Sequence, residues 1–361
     1  PDILPPTATS SAAHRWIEAK ARRAPAADPQ TCRPADLQTK GNALASGTTD
    51  WWDEPMEPLH DDEADTGLEV VLDLLRSQAP HLAALSLARM TGTAGNTGSD
   101  NVLYRLGTEL VVRLPRTPSA AASLRTETRL LPHLAGRLPV ALPELVHLGS
   151  ASARYPHPWA VLRWLPGRDA WADRATLDDP HGFRLAEDLA AVVDAVGKVP
   201  RAAYGDIVEV RPPGRRGGGL APLTEDIDEW LGEAHGLVDE RGVRASWQES
   251  LSAREWDGDA VLCHGDLIPG NLLVQGNRLT AVIDWGGAGA GDPALDLVPA
   301  WAVLGPQGRE RFRDGVAADD DSWLRARGYA LQQAVAGVIY YTPRRHPLAD
   351  VMRRTLHAIL R

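Results

Sequence analysis

The chain is almost without lysine. Lys20, Lys40 and Lys198 are the whole supply, and arginine carries the rest of the positive charge. Cysteine is just as scarce, with Cys32 in a polar stretch and Cys263 in an apolar run. Two thiols so placed exclude a disulfide framework and fit a cytoplasmic setting. No apolar run reaches the roughly 18–20 residues that a membrane span needs, so no membrane partner is expected. The start lacks a basic segment followed by an apolar one, so no secretory signal is expected. It opens on Pro1 rather than Met, as a fragment or a processed form would. A basic stripe is missing as well, and the formal net charge is −10. That balance disfavours nucleic acid as a partner.

What is present is the composition of an ordinary soluble globular protein, 43% hydrophobic and 24% charged. At 361 residues the chain is long enough for two domains or one large bilobed one. The acidity is unevenly placed. Residues 1–66 carry 12 acidic and 6 basic residues, and residues 169–260 carry 20 and 10, so the remainder is net basic. The acidic middle segment has two readings. It attracts a cationic small molecule, or its helices keep acidic faces for solvation.

Residues 1–66 are rich in Pro, Ala, Asp and Thr without a sustained period, and read as a poorly ordered acidic tail. Leu68, Val71, Leu72 and Leu75 then stand at helical spacing, and Pro80 ends that helix. In MTGTAGNTGSDNVLYRLGTELVVRLPR (90–116), Val102, Tyr104 and Leu106 alternate with polar residues. A Gly-Thr turn follows, and Leu110 to Leu114 returns, which predicts a β-hairpin behind a Gly-rich loop. A helix over about 119–135 comes next, then a buried strand in WAVLRWLPG (159–167), where Leu165–Gly167 makes a natural hinge. Beyond it the pattern is mostly helical, with a loop at 211–222 (RPPGRRGGGLAP) and strand periodicity in AVLCHGD and NLLVQGNRLTAVIDW. The expected fold is α+β and bilobed. A small antiparallel β-rich lobe spans 67–167, and a larger, mostly helical one spans 168–361. The cleft between two lobes is a common place for a small-molecule site.

The chemistry concentrates in VLCHGDLIPGNLLVQGNRLTAVIDWGGAGAGDP. A buried strand delivers His264 and Asp266 at its end. Asn271 follows, and a hairpin turning at Gln275-Gly276-Asn277 returns the chain to Asp284. Hairpin geometry brings residues just outside its two ends together, so Asn271 and Asp284 converge with Asp266 close by. Two oxygen ligands beside a free carboxylate suit a hard cation such as Mg²⁺. A carboxylate beside that cation can orient a hydroxyl and accept its proton. The spacing H-x-D-x-x-x-x-N, followed by a separate Asp, is that of a phosphoryl-transfer site. Singly, each residue has a plainer role: Asp266 capping a turn, Asn271 in a left-handed position, Asp284 in a turn before glycines. His264 is expected to anchor the loop through backbone hydrogen bonds, and Cys263 to be a small buried hydrophobe.

HGDLIPGN, VIDWGGAGAGDPALDL and WLRARGYAL (323–331) closely resemble the aminoglycoside phosphotransferase family, antibiotic and small-alcohol kinases with a protein-kinase-like fold. SDNVLYRLG (99–107), LVVRLPR (110–116), Glu127 in ETRLLPHLA, and RWLPG (163–167) agree with it, so the resemblance covers about 68–361. It implies Asp266 as catalytic base, Asn271 and Asp284 as Mg²⁺ ligands, and Asp292 and Asp296 as braces of the metal loop. Gly98, Ser99 and Asp100 would lie in the loop over the nucleotide, ATP or GTP, and backbone around Trp164 and Leu165 would meet its base. The position usually held by a phosphate-binding lysine is Arg113, which can still make bidentate phosphate bonds and pair with Glu127, though Arg and Lys differ in reach and geometry. Gly265 stands where protein kinases carry an arginine that reads activation-loop phosphorylation, so that regulation is not expected.

The family's acceptors include aminoglycosides, macrolides, choline and homoserine, and the motifs do not choose among them. Asp226, Asp228, Glu229 and Glu233 lie at helical spacing in the acidic segment and would face a cationic acceptor. The implied activity is a Mg²⁺-dependent transfer of a nucleotide γ-phosphate to a hydroxyl of a small molecule such as an aminoglycoside-type antibiotic, with a resistance role. The alternatives are a metabolic kinase of a small alcohol or amino sugar, a macrolide kinase, and a nucleotide-binding pseudokinase suggested by Arg113.

Overall fold

The computed structural model describes residues 59–361 apart from 61, 91–98 and 173–181. Trp51, Trp52 and most of the tail, together with Gly98 and the GNTG stretch of the Gly-rich loop, lie outside the described residues. The tail expected over 1–66 ends earlier than its composition suggested. His60 and Thr66 are buried on the body. Glu63 pairs with the buried Arg116 at 2.8 Å, and the Thr66 carbonyl accepts from the Tyr104 hydroxyl at 2.7 Å. Buried partners on the lobe, not local composition, order those last residues.

The N-terminal lobe consists of α1 (Leu68–Gln78), β1 (Leu87–Arg89), β2 (Asn101–Leu106), β3 (Leu110–Pro115), α2 (Pro118–Leu134), β4 (Leu145–Gly149) and β5 (Trp159–Arg163). The strands form one antiparallel sheet in the order β1-β2-β3-β5-β4. The three-residue turn between β2 and β3 (107–109) begins at Gly107, whose φ of +57° suits glycine. Alternation then assigns the two faces. Trp159 and Val161 join Val102, Tyr104, Val112 and Leu114 against α1, while Ala160 and Leu162 face Leu124 of α2. Each such Val or Leu, fully buried, contributes roughly 1.5–3 kcal/mol. Helix α2 starts where Thr117 accepts from the Ala120 N–H at 3.2 Å with Pro118 at the first helical position.

The strand expected over 159–167 stops at Arg163, because Pro166 and Gly167 (φ +137°) break it into the crossing to the second lobe. That lobe contains β6 (Arg168–Asp169), α3 (Gly182–Gly197), α4 (Thr224–Glu233), α5 (Glu240–Leu251), β7 (Val261–Cys263), β8 (Leu272–Gln275), β9 (Arg278–Val282), β10 (Gly289–Gly291), α6 (Pro299–Ala302), α7 (Pro306–Gly315), α8 (Asp320–Tyr341) and α9 (Leu348–Leu360). Strands β8 and β9 form the expected hairpin and β6 pairs with β8, while β10 pairs with β7. Helix α8 is buried on nearly all sides from Arg325 to Tyr341, and so runs through the middle of the lobe. The architecture is therefore α+β and bilobed. No helix among the described residues is long and apolar enough to cross a membrane.

Candidate active site

Strand β7 carries the functional loop out of the core. Cys263 is buried, and burial pushes its thiol up, which leaves an inert small hydrophobe. The N–H groups of His264 and Gly265 donate to the two carboxylate oxygens of Asp296, at 2.7 and 2.8 Å. His264 Nδ1 accepts the Asp266 N–H at 3.2 Å, so Nε2 carries the proton and donates to the Ile283 carbonyl at 3.1 Å. Both ring nitrogens are thus spent on the backbone, and the ring edge meets Trp285. His264 anchors the loop, and Asp296 supports it from beneath.

Asp266 emerges with its side chain held at both oxygens. Asn271 Nδ2 donates to Oδ2 at 3.0 Å, and Gln333 Nε2 of α8 donates to Oδ1 at 2.8 Å. The Arg216 guanidinium stands 3.9 Å from Oδ1. Burial raises the Asp266 pKa, and Arg216 pulls against that rise. The hairpin closes as expected: the Ile283 N–H donates to the Asn271 carbonyl at 3.0 Å, which sets Asp284 beside Asn271. Asp284 takes a left-handed backbone at φ +64°, a conformation Asp tolerates better than most residues.

Arg113 crosses to this loop from β3. It pairs with Glu127 of α2 and, at 2.6 Å, with Asp284. Burial works against its charge, but Glu127 and Asp284 outweigh it and raise the guanidinium pKa further. Glu127 also accepts the Trp285 N–H at 3.0 Å, so one carboxylate ties α2 to both β3 and the loop that follows Asp284. Asp100, next to Ser99, faces the same point. Burial and the Asp284 charge hold its carboxyl up at about 7. Ser99 donates to that carboxylate at 3.1 Å.

Between the lobes lies a cavity of about 420 Å³. Leu103, Val111, Leu162, Leu165, Leu273 and Ile283 make its apolar walls, and Arg113, Asn271 and Asp284 its polar end. The cleft therefore gathers Arg113, Trp164, Leu165, Asn271 and Asp284, with Glu127 behind Arg113 and Asp266 one hydrogen bond behind Asn271. One expectation needs adjustment. The Trp164 N–H donates to the Glu109 carbonyl at 2.8 Å and its ring lies under the Arg105 guanidinium, so that N–H is not offered to a nucleobase.

The four acidic residues of α4 are not brought together. Asp226 is buried, Asp228 points out and pairs with Arg244, Glu229 is exposed, and Glu233 is half-buried. Burial raises the Glu233 pKa, with the Glu229 charge adding to it. None of them lines the cavity. Helical spacing itself sets Asp228, two residues from Asp226, across the helix from Asp226, Glu229 and Glu233.

Arg211, Arg216 and Gln333 are the residues that the sequence did not bring forward. The 211–222 loop contacts the loop of His264 to Asn271 and the loop that follows Asp284. Arg211 donates to the Gly287 carbonyl at 2.6 Å and to the Arg216 carbonyl at 3.2 Å, and Arg216 donates to the Gly265 carbonyl. A Cβ at Gly265 would lie 2.3 Å from Arg211 Nη2, and one at Gly289 would lie 2.9 Å from its Nε. The glycine density of GGAGAG was the available signal, since it makes room for this guanidinium. Asp292 accepts from Arg325 Nε at 2.8 Å and from the Tyr329 hydroxyl at 3.1 Å, which locks the end of the loop after Asp284 onto α8.

Residues 91–331 match the family model described as "Phosphotransferase enzyme family". An aminoglycoside 3'-phosphotransferase of Streptomyces ribosidificus is 29% identical over 246 residues, which span 64% of this chain and 81% of that protein. A viomycin phosphotransferase of Streptomyces vinaceus is 30% identical over 250 residues, 64% of this chain and 82% of that protein. Among solved structures, the GDP complex of wild-type aminoglycoside 2'-phosphotransferase-IIIa superposes with a TM-score of 0.61 at 22% identity, covering 82% of this chain and 97% of that one. Macrolide 2'-phosphotransferase MphH from Brachybacterium faecium superposes at 0.54 with 25% identity, over 81% and 98%.

Proposed function

The chain belongs to the phosphotransferase enzyme family, and from that premise we propose that it moves the γ-phosphoryl group of ATP or GTP to a hydroxyl of a small antibiotic-type acceptor. The observation that carries this reading is the Asp266 carboxylate, held at both oxygens one hydrogen bond behind the polar end of the inter-lobe cleft. A carboxylate so fixed can orient an acceptor hydroxyl and take its proton, a contribution of roughly 10²–10⁴-fold. The hydroxyl oxygen forms its bond to the γ-phosphorus as the bond to the β,γ-bridging oxygen breaks. The nucleoside diphosphate leaves, and the proton passes from Asp266 to water. A cytoplasmic setting belongs to this reading, because nucleoside triphosphates are its co-substrates.

The walls at Leu103, Val111, Leu162 and Ile283 suit a nucleobase, and Arg113 at the polar end suits the phosphates. Asn271 spends Nδ2 on Asp266, which leaves its amide oxygen to serve as a metal ligand, and Asp284 keeps Oδ2 free of its contact with Arg113. One carboxamide oxygen and one carboxylate fit Mg²⁺, which takes its remaining ligands from water and phosphate. Bound there, the ion would neutralise charge on the transferred phosphoryl group.

The acidic segment 169–260 and the net charge of −10 favour a cationic acceptor such as an aminoglycoside or a basic peptide antibiotic. The dispersal of the four α4 carboxylates favours a second reading, in which the acceptor is a neutral macrolide or a small alcohol. A phosphotransfer screen with ATP and GTP against aminoglycosides, viomycin, macrolides and amino alcohols separates these. Strong turnover of a cationic antibiotic is expected, and turnover of neutral alcohols alone would replace the first reading by the second. Asp266→Ala should lower kcat by roughly 10²–10⁴-fold while the nucleotide Kd stays unchanged. Undiminished turnover would remove Asp266 from its role.

A further inference from the structure

Helix α8 presents one polar stripe within an otherwise apolar interior. Arg325, Tyr329 and Gln333 follow at four-residue spacing, so they stand one above another on the same face. Arg325 and Tyr329 hold Asp292, which closes the metal loop. Gln333 holds Asp266. A single rigid helix thus fixes both loops of the site.

We propose that Gln333 is a positioning residue of the phosphotransfer reaction, setting the plane of the Asp266 carboxylate through Oδ1 while Asn271 sets it through Oδ2. The inference rests on the reading of Asp266 as the base. A carboxylate hydrogen-bonded at only one oxygen can swing about its terminal torsion, which is broad. Two amide donors, at 3.0 Å on Oδ2 and 2.8 Å on Oδ1, leave one plane that satisfies both. Asn271 comes from the same loop as Asp266 and moves with it, whereas Gln333 comes from the lobe's central helix. Gln333 is therefore the contact that ties the base to the frame. Arg216 assists from a third direction, 3.9 Å from the same oxygen.

Burial argues the same way. Gln333 is 6% exposed inside a helix whose neighbours are mostly apolar, and an amide placed there costs free energy unless its hydrogen bonds are made. Leucine would pack at such a position without that cost. The adjacent Gln332 supplies the contrast: it is just as buried, and its amide oxygen finds no partner among the described residues.

The test is kcat and KM of the full chain for Gln333→Met, which keeps the side chain's length and removes its donors, beside Gln332→Met as a control on the same helix. Misplacing a catalytic group by about 1 Å can cost on the order of 10²-fold, so Gln333→Met should lower kcat at least tenfold. Its nucleotide KM should stay within twofold of wild type, and its Tm should match that of Gln332→Met. Gln332→Met should keep wild-type kcat. In an Asp266→Ala background, Gln333→Met should add nothing, because the group it positions is gone. Wild-type kcat in Gln333→Met, or a loss of kcat shared equally by KM and Tm, overturns the proposal. Wild-type kcat in Asp266→Ala alone would instead sink the assignment of the base.

Discussion

Arg113 is a buried arginine and Arg211 a half-buried one beside the candidate site, and they are held in opposite ways. Arg113 is matched by two carboxylates, Glu127 and Asp284, drawn from two different elements. Its charge is balanced, and its pKa is raised above the ordinary value. Arg211 has no carboxylate within salt-bridge distance among the described residues. It donates to the carbonyls of Gly287 and Arg216, and burial lowers its pKa. The first brace joins the two lobes through charge. The second joins the loops that carry Asp266 and Asp284 within one lobe through shape, with glycines cleared around a guanidinium. Charge matching should be costly to unbalance, whereas shape matching should be sensitive to added volume.

The largest effect should follow from breaking the charge-matched brace. Arg113→Met leaves Glu127 buried without its cation, and breaking a buried pair from one side costs about 3–5 kcal/mol. Urea unfolding should show a loss of that order, and the nucleotide KM should rise at the same time. A stability loss under 1 kcal/mol would mean that Glu127 is not held ionised by Arg113. Next comes the shape-matched brace. In Gly265→Ala, the new Cβ would sit 2.3 Å from Arg211 Nη2, and the backbone there has φ +82°. Left-handed strain alone costs of order 1–3 kcal/mol. The expected outcome is a Tm loss together with a kcat loss exceeding tenfold, because the displaced residue adjoins Asp266. Unchanged kcat in a folded Gly265→Ala protein would show that Arg211 yields freely. The smallest effect belongs to Asp228→Asn on α4. Asp228 and Arg244 are both more than half exposed, so losing their pair should change stability by under 0.5 kcal/mol. Acceptor KM should also hold, and a severalfold rise for a cationic acceptor would restore Asp228 to the acceptor site.

The same comparison explains what could be read from residues alone. Asp266, Asn271 and Asp284 sit in one continuous stretch whose hairpin has a fixed length, so local geometry brings them together. Glu127 and Arg113 were legible only through the resemblance to the family, which sets a strand cation against a helix glutamate. The bilobed α+β architecture follows from alternation before Arg163 and helical periodicity after it. Arg211, Arg216 and Gln333 were not legible, since their partners are backbone carbonyls or a side chain more than 45 positions away in the chain. No periodicity encodes such pairings. The ordered end of the tail was missed for the same reason, because the partners of Glu63 and Thr66 are Arg116 and Tyr104. The α4 carboxylates went the other way. Their spacing was visible and already sets Asp228 across the helix from the other three, but which side of the helix faces the cleft depends on packing against the rest of the lobe.

The most direct test of the central claim is the ³¹P NMR spectrum of the full chain with Mg²⁺, a nucleoside triphosphate and an aminoglycoside acceptor. Phosphotransfer to a hydroxyl predicts a new phosphomonoester resonance that grows in step with nucleoside diphosphate and with almost no inorganic phosphate. Diphosphate accompanied only by inorganic phosphate, or an unchanged triphosphate spectrum across every acceptor class, would contradict it.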